Sequence, residues 1–246
     1  MKILPIVIAA SLSLAACSGS KSNPAGGDAP GTADAKVYLD APPHVPAMIT
    51  LSGTAYESGQ TSSTPLAGVA ITLKKRSDDS TIASATSDPQ GKYSLSVTTG
   101  GLVVDAYILA TKSGYTDAAA FPALPFAADD AKADSNLVTT GNFGLLGLYT
   151  GQQSSKGIVV VEILDASGMP VAGAAVSSTP AAGSYLYSDS TGKPASGTAT
   201  NTDGTAFLVN LPPGDVSINV TKSGASFNDH DVTAKANTFT STVVTE

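Results

Sequence analysis

The sequence predicts an all-β protein made of two tandem antiparallel β-sandwiches, and three observations predict it. From Met48 onward, apolar residues alternate with polar ones at a period of two, the spacing of strands with one buried face. Clusters of Gly, Pro, Asp and Ser break these runs at intervals of roughly 8–12 residues, the rhythm of all-β domains rather than of β-α-β units. A pattern also recurs in the same order. Pro65-Leu66-Ala67-Gly68-Val69 returns as Pro170-Val171-Ala172-Gly173-Ala174. Thr86 to Tyr93, with Gly91, returns as Thr200 to Phe207, with Gly204, and Thr111-Lys112-Ser113-Gly114 returns as Thr221-Lys222-Ser223-Gly224. Three echoes in one order make an internal repeat.

Taken in order, the chain begins with Lys2 and an apolar run from Ile3 to Leu14, then the small residues Ala15 and Ala16. These are the charged, apolar and cleavage regions of an export signal over residues 1–16. The apolar run is shorter than the ~18–20 residues that span a bilayer. Cys17, the only cysteine, follows at once. Leu14-Ala15-Ala16-Cys17 resembles the lipobox of bacterial lipoproteins. That resemblance implies that Cys17 is acylated and becomes the first mature residue, and that the protein is held at the membrane by its N-terminal lipid. With Ser18 rather than Asp next, it also implies the outer membrane if the cell is Gram-negative.

Residues 17–46 read as the lipidated cysteine and a disordered tether. Ser18 to Lys36 holds no aromatic or large aliphatic residue, so it cannot bury enough apolar area to offset its ordering entropy. A flexible stretch of this length spans roughly 25 Å. His44 lies among Pro42, Pro43 and Pro46 and reads as an exposed linker residue.

The first sandwich is expected over 47–150. Ile49 and Leu51, then Val69, Ile71 and Leu73, then Tyr93, Leu95 and Val97 mark inward faces, and 103–111 adds another strand. Residues 118–134 read as a long crossing loop, because Pro122 and Pro125 remove ladder donors; 127–134 has room for a turn or two of helix. Asn136 to Thr150 reads as a closing strand or hairpin turning at Gly141-Asn142, and Gly151 to Lys156 as a polar break. The second sandwich is expected over 157–246, on its own core from Val159, Val161, Ile163, Phe207, Val209, Leu211, Val216, Ile218 and Val220.

The repeated motifs resemble those of carboxypeptidase regulatory-like domains, over about 49–117 and 157–246. The resemblance implies transthyretin-like or Ig-like seven-stranded sandwiches with Greek-key connections, related to Cna-B-type repeats. In carboxypeptidases the module is an appendage to a catalytic domain, which is not found here. Cna-B domains form Lys–Asn isopeptide bonds, which by resemblance would join Lys156 to Asn219 or Asn237.

The charge of −7 disfavours nucleic acid as a partner. A Ser–His–Asp device needs a histidine beside an activated serine, and only His44 and His230 exist. Asn228-Asp229-His230-Asp231 is the densest set of metal-ligand types and reads as a solvated turn; no metal or cofactor is expected. The expectation is therefore a non-catalytic cell-envelope protein that binds or displays, by adhesion or by contact with a glycan or envelope protein. The alternatives are a structural spacer or an enzyme with an unrecognised site. The candidate contact residues are Tyr185 and Tyr187. They share one side of an extended segment, 181–196, where the second copy is longer than the first, and two phenols on one face can stack on a sugar ring.

Overall fold

In the computed structural model, residues 44–58 and 63–246 are described. The signal segment, Cys17 and the tether up to residue 43 lie outside the described residues. The described part of the chain is nearly all β. Its first strands are β1 (Met48–Ser58), β2 (Ser63–Pro65), β3 (Ala70–Lys75), β4 (Thr81–Thr86), β5 (Lys92–Thr98), β6 (Ala106–Thr111), β7 (Tyr115–Phe121) and β8 (Ser135–Thr139). Helix α1 (Thr140–Thr150) follows, then β9 (Gly157–Leu164), β10 (Ala175–Thr179), β11 (Ser184–Ser188), β12 (Pro194–Ser196), β13 (Thr205–Leu211), β14 (Gly214–Thr221), β15 (His230–Ala234) and β16 (Thr238–Thr245).

The internal repeat is visible in the strand pairing. β1 pairs antiparallel with β5 and parallel with β8, while β3 pairs with β6 and β6 with β7. In the second half β9 pairs antiparallel with β13 and parallel with β16, while β10 pairs with β14 and β14 with β15. The turn motifs repeat bond for bond. Ser87 Oγ accepts from Val69 N and donates to Leu66 O; Thr200 Oγ1 accepts from Ala174 N and donates to Val171 O. Gly91 (φ 75°) and Gly204 (φ 64°) sit against a neighbouring strand, where a Cβ would lie 2.7 Å from Ala55 O or 2.6 Å from Ile163 O. Only glycine fits both the left-handed backbone and that contact.

This register shifts one sequence match by a residue. Ser87, not Thr86, is the counterpart of Thr200, so Tyr93 corresponds to Ala206 and Phe207 to Ser94. The difference has a physical cause. On β5 the alternate residues Lys92, Ser94 and Ser96 face solvent, whereas nearly all of β13 is buried. β9, Gly-Ile-Val-Val-Val-Glu-Ile-Leu, is likewise buried on both faces, which calls for an unbroken apolar run rather than alternation.

Both halves share one sheet, in the order β12-β11-β13-β9-β16-β7-β6-β3-β4. β16 lies between β9 and β7, parallel to each. One face of this sheet, with Ile71, Leu73, Ile108, Ala110 and Ala118, packs on the layer containing β1 and β5. The opposite face, with Val159, Val161, Ile163 and Leu208, packs on the separate β10-β14-β15 sheet. Tyr107, Ala119 and Phe121 of the first half belong to that second core. The expectation that residues 157–246 own their core is corrected accordingly.

Three other expectations change. β7 is a central strand, so the crossing loop starts only at Pro122; its Ala-Ala-Ala run has low strand propensity but fits a strand covered on both faces. Residues 127–134 form no helix. They run along β1, where the Asp129 and Asp134 carboxylates accept from Thr50 N (2.8 Å) and Thr54 N (2.7 Å). Residues 140–150 are helical rather than extended. Thr139 caps the start, accepting from Asn142 N, and Gly151 closes the end in a left-handed conformation. The inner side of α1, Phe143 and Leu146, covers Ile158, Val160, Phe207, Val209 and Phe239.

Candidate functional site

Tyr185 and Tyr187 are not presented as a stacking face. Tyr187 is buried, and Tyr185 packs half-buried on the same core. Their hydroxyls are spent on backbone. Tyr187 Oη accepts from Val176 N at 3.1 Å; Tyr185 Oη accepts from Ser178 N and Ala182 N, each at 3.1 Å. The reading of these tyrosines as ligand contacts is corrected on that ground. Tyr185 and Tyr187 do share one side of a strand, but that side faces inward. The longer 181–196 segment forms the β11–β12 hairpin, which joins β13 instead of β10.

A groove of about 620 Å³ lies between α1, the start of β7 and the 152–156 segment. Tyr115 and Phe143 supply its aromatic surface, and Leu148 is 82% exposed at its lip. Asp117, Lys156 and Asn237 bring an acid, a base and an amide to the same groove. Tyr115 is steadied by donating to Glu57 Oε2 at 2.5 Å. Gly144 and Gly147 form part of the wall, and a Cβ on Gly144 would meet nothing within 4 Å. Glycine inside a helix costs about 1 kcal/mol relative to alanine, and no close contact at Gly144 requires it.

The groove's far wall is fixed by two amides. Gln152 Nε2 donates to Lys156 O (2.9 Å) and Gly157 O (3.2 Å), and its Oε1 accepts from Asn210 N at 2.9 Å. Asn210 accepts from Gln153 N (2.7 Å) and donates to Gly151 O (3.0 Å). The polar 151–156 segment is thus bonded to β13 rather than being a free linker. Sequence reading missed the groove because its residues come from β7, α1 and the turn before β16, which only the fold brings together. Lys156 and Asn237 both line it; Asn219 lies elsewhere, on β14, with its amide on Asp229.

A second cleft, about 390 Å³, lies where the halves meet and is lined by Arg76, Asp105, Asp215 and Asp231 among others. Arg76 pairs with Asp105 at 3.5 Å and lies 5.7 Å from the Phe121 ring centre. Lys235 joins the halves more firmly, reaching Asp79 Oδ2 at 2.7 Å and Tyr107 Oη at 2.6 Å. His230 does not enter this cleft. It is buried, with Nε2 2.6 Å from Thr242 Oγ1, which itself donates to Phe121 O. The Thr242 proton is used there, so His230 Nε2 carries the hydrogen between them. Burial, with Arg76 nearby, lowers its pKa to about 4. His230 and Asp231 thus point to opposite sides of β15, and the histidine is not aimed at the carboxylates. Among the described residues no group of three or more His, Cys, Asp or Glu is placed to hold a metal.

No family model matches the sequence, and no curated protein matches it. Solved structures overlap weakly. The minor pilin GBS52 of Streptococcus agalactiae is 14% identical, with 80% of this chain and 96% of that one covered at a TM-score of 0.27. The shaft pilin SpaA of Lactobacillus rhamnosus GG is 15% identical, with 80% and 97% covered at 0.26. A streptococcal ancillary pilin is 12% identical, with 81% and 62% covered at 0.25. Overlaps this slight do not place the chain in a fold family, and nothing about its role follows from them.

Proposed function

We propose that the protein is a non-catalytic cell-envelope lipoprotein, anchored through Cys17, that binds a glycan or an envelope protein along the groove beside α1. The observation that carries the binding reading is the groove itself. Its two aromatic rings and mixed acid, base and amide groups offer both apolar and hydrogen-bonding contact. Its helical wall holds glycine where a side chain would have room. The anchor rests on the signal segment, the small residues before Cys17 and the polar stretch after it. The sheet shared by both halves favours a second reading, a stiff spacer within an envelope assembly.

Two substitutions test the proposal. Cys17→Ser is expected to abolish incorporation of labelled palmitate; an unmodified parent chain would sink the anchor. In the chain from residue 17 onward with Cys17→Ser, Gly144→Leu adds an apolar side chain to the groove wall, at a point where a Cβ meets nothing within 4 Å. It is expected to abolish retention on a defined glycan array and on purified envelope fragments, with Tm unchanged or raised. Retention that survives Gly144→Leu, or a parent retained on neither surface, would remove the binding reading in favour of the spacer.

A further inference from the structure

The two halves differ in one connection. In the first, β4 pairs with β3, and Ile71 and Leu73 stand opposite Ala85 and Ala83. The counterparts of Ile71 and Leu73 are Val176 and Ser178 on β10. Their neighbour should be β11, but β11 has crossed to β13 in the other sheet. β14 pairs with β10 on one side, and no described strand pairs with it on the other. The N–H groups of Val176 and Ser178 are directed to that side and end on the Tyr187 and Tyr185 hydroxyls. The match is geometric. Alternate residues of one strand present tyrosines at the same two-residue repeat as the outward N–H groups of the facing strand.

We infer that Tyr185 and Tyr187 guard the β10 edge, standing in for the strand that left it and so preventing that edge from pairing with the β10 edge of a second copy of this chain. An uncovered edge is a template for strand addition. Thr200 covers the edge at Ala174 and Pro180 follows Thr179, so the open stretch is 175–179, and Ala-Val-Ser-Ser-Thr itself carries no charge, proline or bulge to oppose such pairing. A two-fold antiparallel pair centred on Ser177 would set Val176 of each copy against Ser178 of the other, with no like charges facing along the strand.

The test uses the mature chain from residue 17 onward with Cys17→Ser, which removes both the export signal and the lipid. Analytical ultracentrifugation should find the parent monomeric. Tyr185→Ala with Tyr187→Ala should double the sedimenting mass. Adding Ser177→Lys, which sets two ammonium groups face to face at the centre of the pair, should restore the monomer. Tyr185→Phe with Tyr187→Phe removes only the hydroxyls, and should speed amide exchange at Val176 and Ser178 at least tenfold without affecting β13. A parent already paired through β10 overturns the inference. So does a folded alanine variant that stays monomeric, or association that Ser177→Lys fails to reverse. If the alanine variant does not fold, the phenylalanine variant decides, and unchanged exchange at both amides overturns the inference.

Discussion

Glu162 is the residue whose sequence context gives the least warning of its state. It sits in the apolar run of β9, and its Oε2 is buried without a hydrogen-bond partner among the described residues. Burial, reinforced by the Asp203 carboxylate, raises its pKa to about 7. A carboxyl whose folded pKa lies above its unfolded value favours the folded state while protonated. Stability is therefore lost as pH rises from about 4.5 to about 7. The shift corresponds to at most about 3 kcal/mol. Glu162→Gln should remove this loss. Its advantage over the parent in urea melts should grow across that interval and level off above it; a constant offset from pH 4.5 to 8 would mean the carboxyl ionises freely. His230 works in the opposite direction, with its stability lost as pH falls from 6.5 to about 4, so in Glu162→Gln the acid-side loss should stand out alone.

At the scale of elements, the parts legible in the sequence are those set by local chemistry. The alternation of β5 and the paired turns at Gly91 and Gly204 are visible because strand burial on one face and left-handed backbone leave residue-level marks. β7 and α1 were not legible. Tyr-Thr-Asp-Ala-Ala-Ala-Phe becomes a central strand only because β6 and β16 flank it, and a helix with three glycines persists because Phe143 and Leu146 find an apolar face to cover. The candidate site was half legible. The shared side of Tyr185 and Tyr187 could be read, but the direction of that side depends on β11 crossing between sheets. The amide clasp behind the groove gives a prediction at this scale. Asn210 has φ 61°, so Asn210→Gly keeps the backbone and loses two side-chain hydrogen bonds, an expected cost of about 1–3 kcal/mol. Asn210→Ala should cost more, because alanine is strained in that conformation. Equal losses in chemical denaturation would show that the backbone there relaxes.

For the whole molecule, the shared sheet makes the halves interdependent. A fragment of residues 157–246 loses Tyr107, Ala119 and Phe121 from one core and the cover of α1 from the other face. It also bares the β16 edge that β7 occupies. The fragment should therefore lack a cooperative thermal transition, while the intact chain melts in one step seen alike by far- and near-ultraviolet circular dichroism. A fragment that melts cooperatively near the Tm of the whole would show that the shared sheet adds little.

The placement of β16 also sets an order in time. The contacts that seat it join residues far apart in the chain, Phe121 with Thr242 among them, and such distant pairings form late because a long loop must close first. Until then the β7 and β9 edges stand open, and their apolar flanks are available to other chains. The slowest step in refolding should be the docking of this last strand, and aggregation should compete with it most strongly when the chain is concentrated.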